Sequence, residues 1–258
     1  MKTALITGGS TGIGKKLAQI HAEKGGNLVL VARSEDALKA IKKELETKYN
    51  IKVFLIVQDL VKPNAAQDVY DAVKREHITI DYLINNAGFG GIGKFHEREW
   101  QEDHDMILLN ILALTALTRL FLPDFVARDE GRVLNVSSTA SLMAGPLQAV
   151  YFATKAYVTS FSNAIAEELH DTNITVTNLM PGATETNFGK VSGMNKTELF
   201  KSTASARNVA EDAYNGMIAG KLDVMSGLTF SQKTMLTMIP VIPKKFLLSK
   251  VRKMQEVD

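Results

Sequence analysis

The chain has 258 residues, 45% of them hydrophobic, with 30 basic against 28 acidic residues and no cysteine. Such a length can bury a sizeable core in one or two domains of roughly 150 residues each. The near balance of charge leaves no basic footprint for nucleic acid. The missing thiols exclude disulfides, thiolate metal sites and a cysteine nucleophile, in keeping with a reducing, cytoplasmic setting.

Met1 and Lys2 lead straight into Thr3–Thr7, too short for a signal h-region, so no secretory leader is expected. Ala4–Thr7 reads as a strand and Gly12–Lys24 as a helix. Asn27–Ala32, apolar at nearly every position, suits a strand covered on both faces of a parallel sheet. Ser34 can cap a helix running to about Tyr49. A strand at Ile51–Val57, a helix around Asn64–Glu76 and a strand at Ile80–Ile84 follow. The next segments are a long helix over roughly Glu99–Leu122, a strand at Val133–Val136, a helix at Tyr151–His170 and a strand at Ile174–Leu179. This βαβ alternation predicts one doubly wound, mostly parallel α/β sheet of Rossmann type, with helices on both faces. The apolar stretch Met235–Pro243 is broken by prolines and falls short of the roughly 20 residues of a spanning helix.

Between the first strand and first helix lies Thr7-Gly8-Gly9-Ser10-Thr11-Gly12-Ile13-Gly14. Glycine permits a tight turn and lets the backbone approach a pyrophosphate, which the N–H groups and dipole of the helix then face. A glycine-rich turn by itself is also an ordinary loop. This one occupies the first βα position of a βαβ unit, the context the motif needs.

Several motifs then recur in a fixed order: Thr7-Gly8…Gly12…Gly14, Asp59-Leu60, Asn85-Asn86-Ala87-Gly88, Asn110, Ser138, Tyr151…Lys155 and Pro181-Gly182. In this ordered set the chain resembles the short-chain dehydrogenase/reductase family of the single-domain type, well over residues 1 to about 190 and poorly beyond. The resemblance implies an NADP(H)-dependent carbonyl reductase or alcohol dehydrogenase. Its cofactor would lie on Gly8, Ser10, Thr11, Gly12, Ile13 and Gly14, with Asp59 and Leu60 near the adenine. Asn86, Ala87 and Gly88 would line the cleft, and Pro181, Gly182, Thr184 and Thr186 would attend the nicotinamide end. Asn110 would carry a water-mediated proton path to Lys155, although a lone polar residue in an apolar helix also suits a local hydrogen bond or kink. Arg33 follows the second strand where a carboxylate would favour NAD; its guanidinium, with the Ser34 hydroxyl, suits a 2′-phosphate and hence NADP over NAD.

Tyr151 and Lys155 are four apart in a helical stretch, so both can face one cleft. A neighbouring ammonium favours phenolate and is expected to lower the Tyr151 pKa toward a useful range for proton transfer. Ser138 lies 13 residues earlier, at the C-terminal edge of the sheet, where its hydroxyl can hold the substrate oxygen; Ser137 would point to the other face. By resemblance, Lys155 also binds the nicotinamide ribose.

The expected domain runs over residues 1–227, with a substrate loop at about 187–204 that Phe188, Met194 and Phe200 could line. Residues 228–258 form a basic and apolar extension that would cover the pocket, meet a partner subunit or lie on a membrane surface. A homodimer or homotetramer is expected. The five histidines show no metal-ligand spacing, and no metal is needed. Two other readings stay open: a 3-oxoacyl thioester reductase, and an NADP-binding sensor or scaffold without turnover.

Overall fold

The computed structural model describes residues 1–197, 200 and 202–256. Strands β1 (Thr3–Thr7), β2 (Asn27–Ala32) and β3 (Val53–Val57) alternate with helices α1 (Gly12–Glu23) and α2 (Glu35–Lys48). Next come α3 (Ala65–Arg75), β4 (Tyr82–Asn85), α4 (Trp100–Ile107) and α5 (Leu114–Arg128). The chain continues through β5 (Gly131–Val136), α6 (Ala149–Glu168), β6 (Ile174–Pro181), α7 (Asn187–Val191), α8 (Ala206–Ile218) and β7 (Asp223–Ser226). The segment past β7 forms α9 (Phe230–Thr237) and α10 (Lys244–Gln255).

All seven strands are parallel, in the order β3-β2-β1-β4-β5-β6-β7. The order reverses between β1 and β4, and their carboxyl ends open the crevice in which such sheets bind ligands. One buried cluster covers each face. Leu17, Leu38, Leu45, Val209 and Met217 lie in the first, and Val69, Leu117, Phe121, Phe125 and Ile165 in the second. His21 is buried within the first layer, between the Tyr214 hydroxyl at 2.9 Å and the Lys2 carbonyl at 3.1 Å. Burial there lowers its pKa, which suits a packing role.

Toward the C-terminal edge of the sheet, one register row carries Asn85, Asn135, Asn178 and Asp223 on four successive strands. Asn85 Nδ2 donates to Asn135 Oδ1 at 2.9 Å, and Asn178 Nδ2 donates to Asp223 Oδ1 at 2.8 Å. The row is tied to the covering helices through Thr118, Ser162 and Thr159. A buried row of amides is tolerable because most of these polar atoms find partners inside the protein.

Three sequence expectations change. The long helix does not stop at Leu122: α4 and α5 form one rod, Trp100–Arg128, with a π-helical segment at Leu108–Ala113. Packing of Phe121 and Phe125 carries it past Pro123, and left-handed Asp129 (φ 48°) ends it. This rod, rather than Met235–Pro243, is the helix long and apolar enough to cross a membrane among the described residues. Pro181 is the last residue of β6 instead of part of a following turn.

Candidate active site

The glycine turn is braced from below. Thr7 Oγ1 accepts the N–H groups of Asn86 and Ala87, both at 3.0 Å. The Asn86 amide returns two hydrogen bonds, to the carbonyls of Thr7 and Gly8 at 2.9 and 3.2 Å. A Cβ on Gly14 would lie 2.4 Å from both Asn86 Nδ2 and the Gly8 carbonyl. Gly8 and Gly12 both hold positive φ, at 65° and 54°, a region L side chains avoid. A Cβ on Gly12 would lie 3.2 Å from Thr186 Cγ2, so the segment after β6 approaches the turn from above. Ser10, Thr11 and Ile13 complete a cradle at the N-terminus of α1, the arrangement that receives a pyrophosphate.

Arg33 is exposed just past β2, and no carboxylate among the described residues pairs with it. Ser34 caps α2, its Oγ accepting the Ala37 N–H at 3.4 Å. Asp59 follows β3 and accepts the Val61 N–H at 3.3 Å; buried Leu60 lines a small recess with Thr7 and Ala87. Thr184 is buried and donates to the Gly182 carbonyl at 2.9 Å. Thr186 caps α7, accepting from Phe188 N at 3.3 Å.

Tyr151 and Lys155 emerge from one face of α6, with the Lys155 ammonium 5.9 Å from the phenol ring centre. Lys155 Nζ donates to the Val136 carbonyl at 2.8 Å. Ser138 stands half-buried beyond β5, its Oγ accepting the Ala140 N–H at 3.1 Å. Ser137 turns away, as strand alternation requires: its hydroxyl donates to the Lys155 carbonyl at 2.9 Å and pairs with Thr159. Burial pushes the Tyr151 phenol up to about 12, against which a hydrogen bond from Ser138 acts. Burial pushes Lys155 down to about 8. The lowering of Tyr151 expected from the sequence is not seen: loss of water is the largest influence on the phenol and raises it, with Ser138 acting the other way.

Asn110 lies inside the π-helical segment and closes a clamp. Its Oδ1 accepts Phe89 N at 3.1 Å, while Nδ2 donates to Phe89 O at 2.9 Å and to Thr154 Oγ1 at 3.1 Å. Thr154 Oγ1 donates to the Tyr151 carbonyl at 2.7 Å. The Asn110 side chain therefore fixes the loop after β4 against the helix that carries Tyr151. Gly88 fits beneath it; a Cβ there would lie 2.9 Å from Asn110 Oδ1 and 3.4 Å from Lys155 Nζ. Instead of the local hydrogen bond or kink that the sequence also allowed for Asn110, its hydrogen bonds reach residues 21 and 44 positions away, from within a π-helical segment.

On the substrate side, Tyr151, Phe152, Met106, Ala140, Met194 and Val251 form a buried apolar cluster, with Phe188, Phe200 and Leu247 packed against it. The Phe188 ring lies 5.6 Å from the Tyr151 ring. Val251 and Leu247 belong to α10, so the C-terminal segment joins the cluster that contains Tyr151. Of the loop expected at about 187–204, residues 198, 199 and 201 lie outside the described residues. Sequence reasoning assigned no role to Thr154, Gln148 or Gln255. Thr154, three residues after Tyr151, had helical spacing as its only signal.

A seven-stranded parallel sheet with this glycine cradle and this Ser-Tyr-Lys cluster defines a nucleotide-dependent oxidoreductase. A family model described as short chain dehydrogenase matches residues 2–197, and the chain belongs to the short-chain dehydrogenase/reductase family. It is 36% identical over 192 residues to an NADP-dependent 3-hydroxy acid dehydrogenase of Schizosaccharomyces pombe, covering 74% of each chain. It is 34% identical over 197 residues to a very-long-chain 3-oxoacyl-CoA reductase of Rattus norvegicus. That match covers 73% of this chain but only 61% of the relative, so the chain spans about three fifths of its length. Among solved structures, a short-chain dehydrogenase from Sphingobium yanoikuyae in complex with NADPH superposes with a TM-score of 0.84 at 29% identity. The superposition covers 100% of this chain and 99% of that one.

Proposed function

We propose that this chain uses NADP(H) to interconvert a carbonyl and an alcohol at carbon 3 of an acyl chain. The observation that carries the reaction class is buried Tyr151 and Lys155 with half-buried Ser138, beside the glycine cradle. The cradle fits a dinucleotide because Gly8 and Gly12 hold the positive φ of a tight turn at the N-terminus of α1, and Gly14 packs too closely on Asn86 and the Gly8 carbonyl for any side chain. Arg33, free of carboxylate partners among the described residues, favours the 2′-phosphate form. The two relatives' names support the position of the reacting carbon.

When bound, the reduced nicotinamide supplies the hydride to the carbonyl carbon. Tyr151, a neutral phenol at pH 7 with its pKa near 12, donates its proton to the carbonyl oxygen. Ser138 donates a hydrogen bond to the same oxygen, with its Oγ fixed by Ala140 N–H. Lys155 would hold the ribose; Arg33 and Ser34 would take the 2′-phosphate, and Asp59 the adenine. Thr184 and Thr186 stand at the nicotinamide end, and a water path from the Asn110 region would return the proton.

NADPH oxidation should be followed with 3-oxoacyl thioesters, diketones, aldehydes and steroids. Tyr151→Phe should lower turnover at least ~10²-fold while NADPH titration stays largely unchanged; substantial residual turnover would sink the mechanism. NADPH binding without turnover on any substrate would favour the sensor reading.

Trp100, Leu112 and Val126 are exposed on the α4–α5 rod, with the stacked Tyr157–Phe161 pair on α6. This face supports a homodimer, checked by light scattering. The segment past β7 exposes Phe230, Val241 and Phe246 among lysines. Either a partner subunit or a lipid surface would cover it, and liposome co-sedimentation separates the two.

A further inference from the structure

The loop after β4 is gripped at both ends. Asn110 holds its start through Phe89. Arg98 holds its far end: the guanidinium donates to the Ile92 carbonyl at 3.0 Å, to Asp103 Oδ1 at 2.9 Å and to Glu102 Oε2 at 3.1 Å. The Arg98 and Asp103 side chains are only 11% and 3% exposed, so this is a largely buried pair. The loop backbone packs directly on it. A Cβ on Gly91 would collide with Arg98 Nη2, and one on Gly93 would lie 3.1 Å from Arg98 Cγ.

Between the two grips the loop meets the reacting tyrosine. A Cβ on Gly90 would lie 3.1 Å from Tyr151 Cδ2 and 3.0 Å from Phe188 Cζ. The Gly93 N–H donates to the Leu147 carbonyl at 2.8 Å. Leu147 holds a left-handed φ of 68°, which a bulky side chain adopts only where its surroundings enforce it. Gln148, the next residue, is the N-cap of α6, and Tyr151 lies in the first turn of that helix. Arg98, Asp103, Gln148 and Tyr151 line one recess. Arg98 therefore reaches Tyr151 by two routes: through Gly90 onto the ring, and through Gly93 and Leu147 onto the start of its helix.

A buried ion pair is a weak stabiliser, since an apolar pair of similar volume often serves as well. A guanidinium fork adds geometry, because its donors point in fixed directions. Here they tie the loop, at Ile92, to α4, at Glu102 and Asp103. We propose that Arg98, paired with Asp103, is a positioning residue that sets the Tyr151 phenol against the reacting carbonyl by holding the loop and the first turn of α6. The inference rests on the carbonyl-reduction reading above.

The test uses the full chain with NADPH and two probes, a 3-oxoacyl N-acetylcysteamine thioester and a methyl ketone. Arg98→Met should lower kcat at least about tenfold for both probes, because a small misplacement of a reacting group slows chemistry. NADPH affinity should stay close to that of the wild type. Tm should fall, because Asp103 is left buried without its partner. Adding Asp103→Leu removes that unpaired charge, so Tm should recover while kcat stays low. Arg98→Lys keeps a charge beside Asp103 but loses the fork; it should hold most of the Tm and still lose turnover. Recovery of kcat together with Tm in the double variant would make the pair a structural staple and overturn the inference. So would wild-type kcat in Arg98→Met, or an effect confined to KM. If neither methionine variant folds, wild-type kcat in Arg98→Lys overturns it. Wild-type turnover that no variant alters leaves the reduction reading standing and defeats only this inference. No wild-type turnover with either probe defeats both.

Discussion

Around the glycine turn, Thr7, Asn86, Ala87 and Gly8 exchange four hydrogen bonds between 2.9 and 3.2 Å. On the other side of Tyr151, the proposed substrate wall is built from Phe188, Met194, Phe200, Leu247 and Val251. The first region is a polar lattice with one permitted geometry. The second is an apolar wall of adaptable side chains, methionine among them, that can repack. A fold that accepts one cofactor and many substrates needs this division: the nucleotide end is specified by backbone, the substrate end by replaceable side chains.

The contrast can be broken most severely at Gly14. Gly14→Ala places a methyl 2.4 Å from Asn86 Nδ2 and from the Gly8 carbonyl. It should destabilise the fold by about 1–3 kcal/mol and abolish measurable NADPH binding, read by denaturant unfolding and fluorescence titration. Wild-type affinity in this variant would show that the lattice is softer than its hydrogen bonds imply.

Lys155 gives the next effect. Its folded pKa of about 8 lies below the ordinary 10.5, so between those pH values the unfolded chain binds more protons. Stability should therefore rise with pH across that window, and the penalty is fully present below pH 8. The difference corresponds to about 3 kcal/mol. Lys155→Met should flatten this rise and raise the denaturation midpoint at pH 7 without ligand. Tyr151, pushed up to about 12, acts in the opposite sense only above about pH 10. An unchanged pH profile in Lys155→Met would contradict the buried ammonium.

Arg33→Ala should reduce the NADPH-to-NADH ratio of kcat/KM about tenfold, the loss of roughly 1.4 kcal/mol of phosphate binding. An unchanged ratio would remove Arg33 from the 2′-phosphate site. The smallest effect is expected on the substrate wall. Met194→Leu conserves volume and should cost less than about 1.5 kcal/mol, shift the substrate profile and leave NADPH affinity unaltered.

What could be read from the chain alone follows the same division. The strands and the glycine turn declare themselves through local periodicity and fixed spacing, and Ser138, Tyr151 and Lys155 through their order. The extension of the long helix through Pro123 was hidden because proline normally ends a helix, and it is the packing of Phe121 and Phe125 that overrides this. The upward displacement of the Tyr151 pKa was hidden because burial is a tertiary property; spacing shows only that Lys155 is near. The placement of Val251 in the cluster that contains Tyr151 was hidden as well, since the long intervening stretch carries no periodic signal linking α10 to α6.

The row of Asn85, Asn135, Asn178 and Asp223 also bears on how the sheet is assembled. In a parallel sheet covered on both faces, apolar strands offer little to distinguish one alignment from its neighbour. A slip by one residue turns every side chain to the opposite face. For β4, β5 or β6 such a slip would carry an amide out of reach of Thr118, Ser162 or Thr159 and into hydrocarbon. The row thus works as a proofreading mark: misaligned strands are rejected by an unpaired amide, and the same alignment brings Ser138 level with the glycine turn.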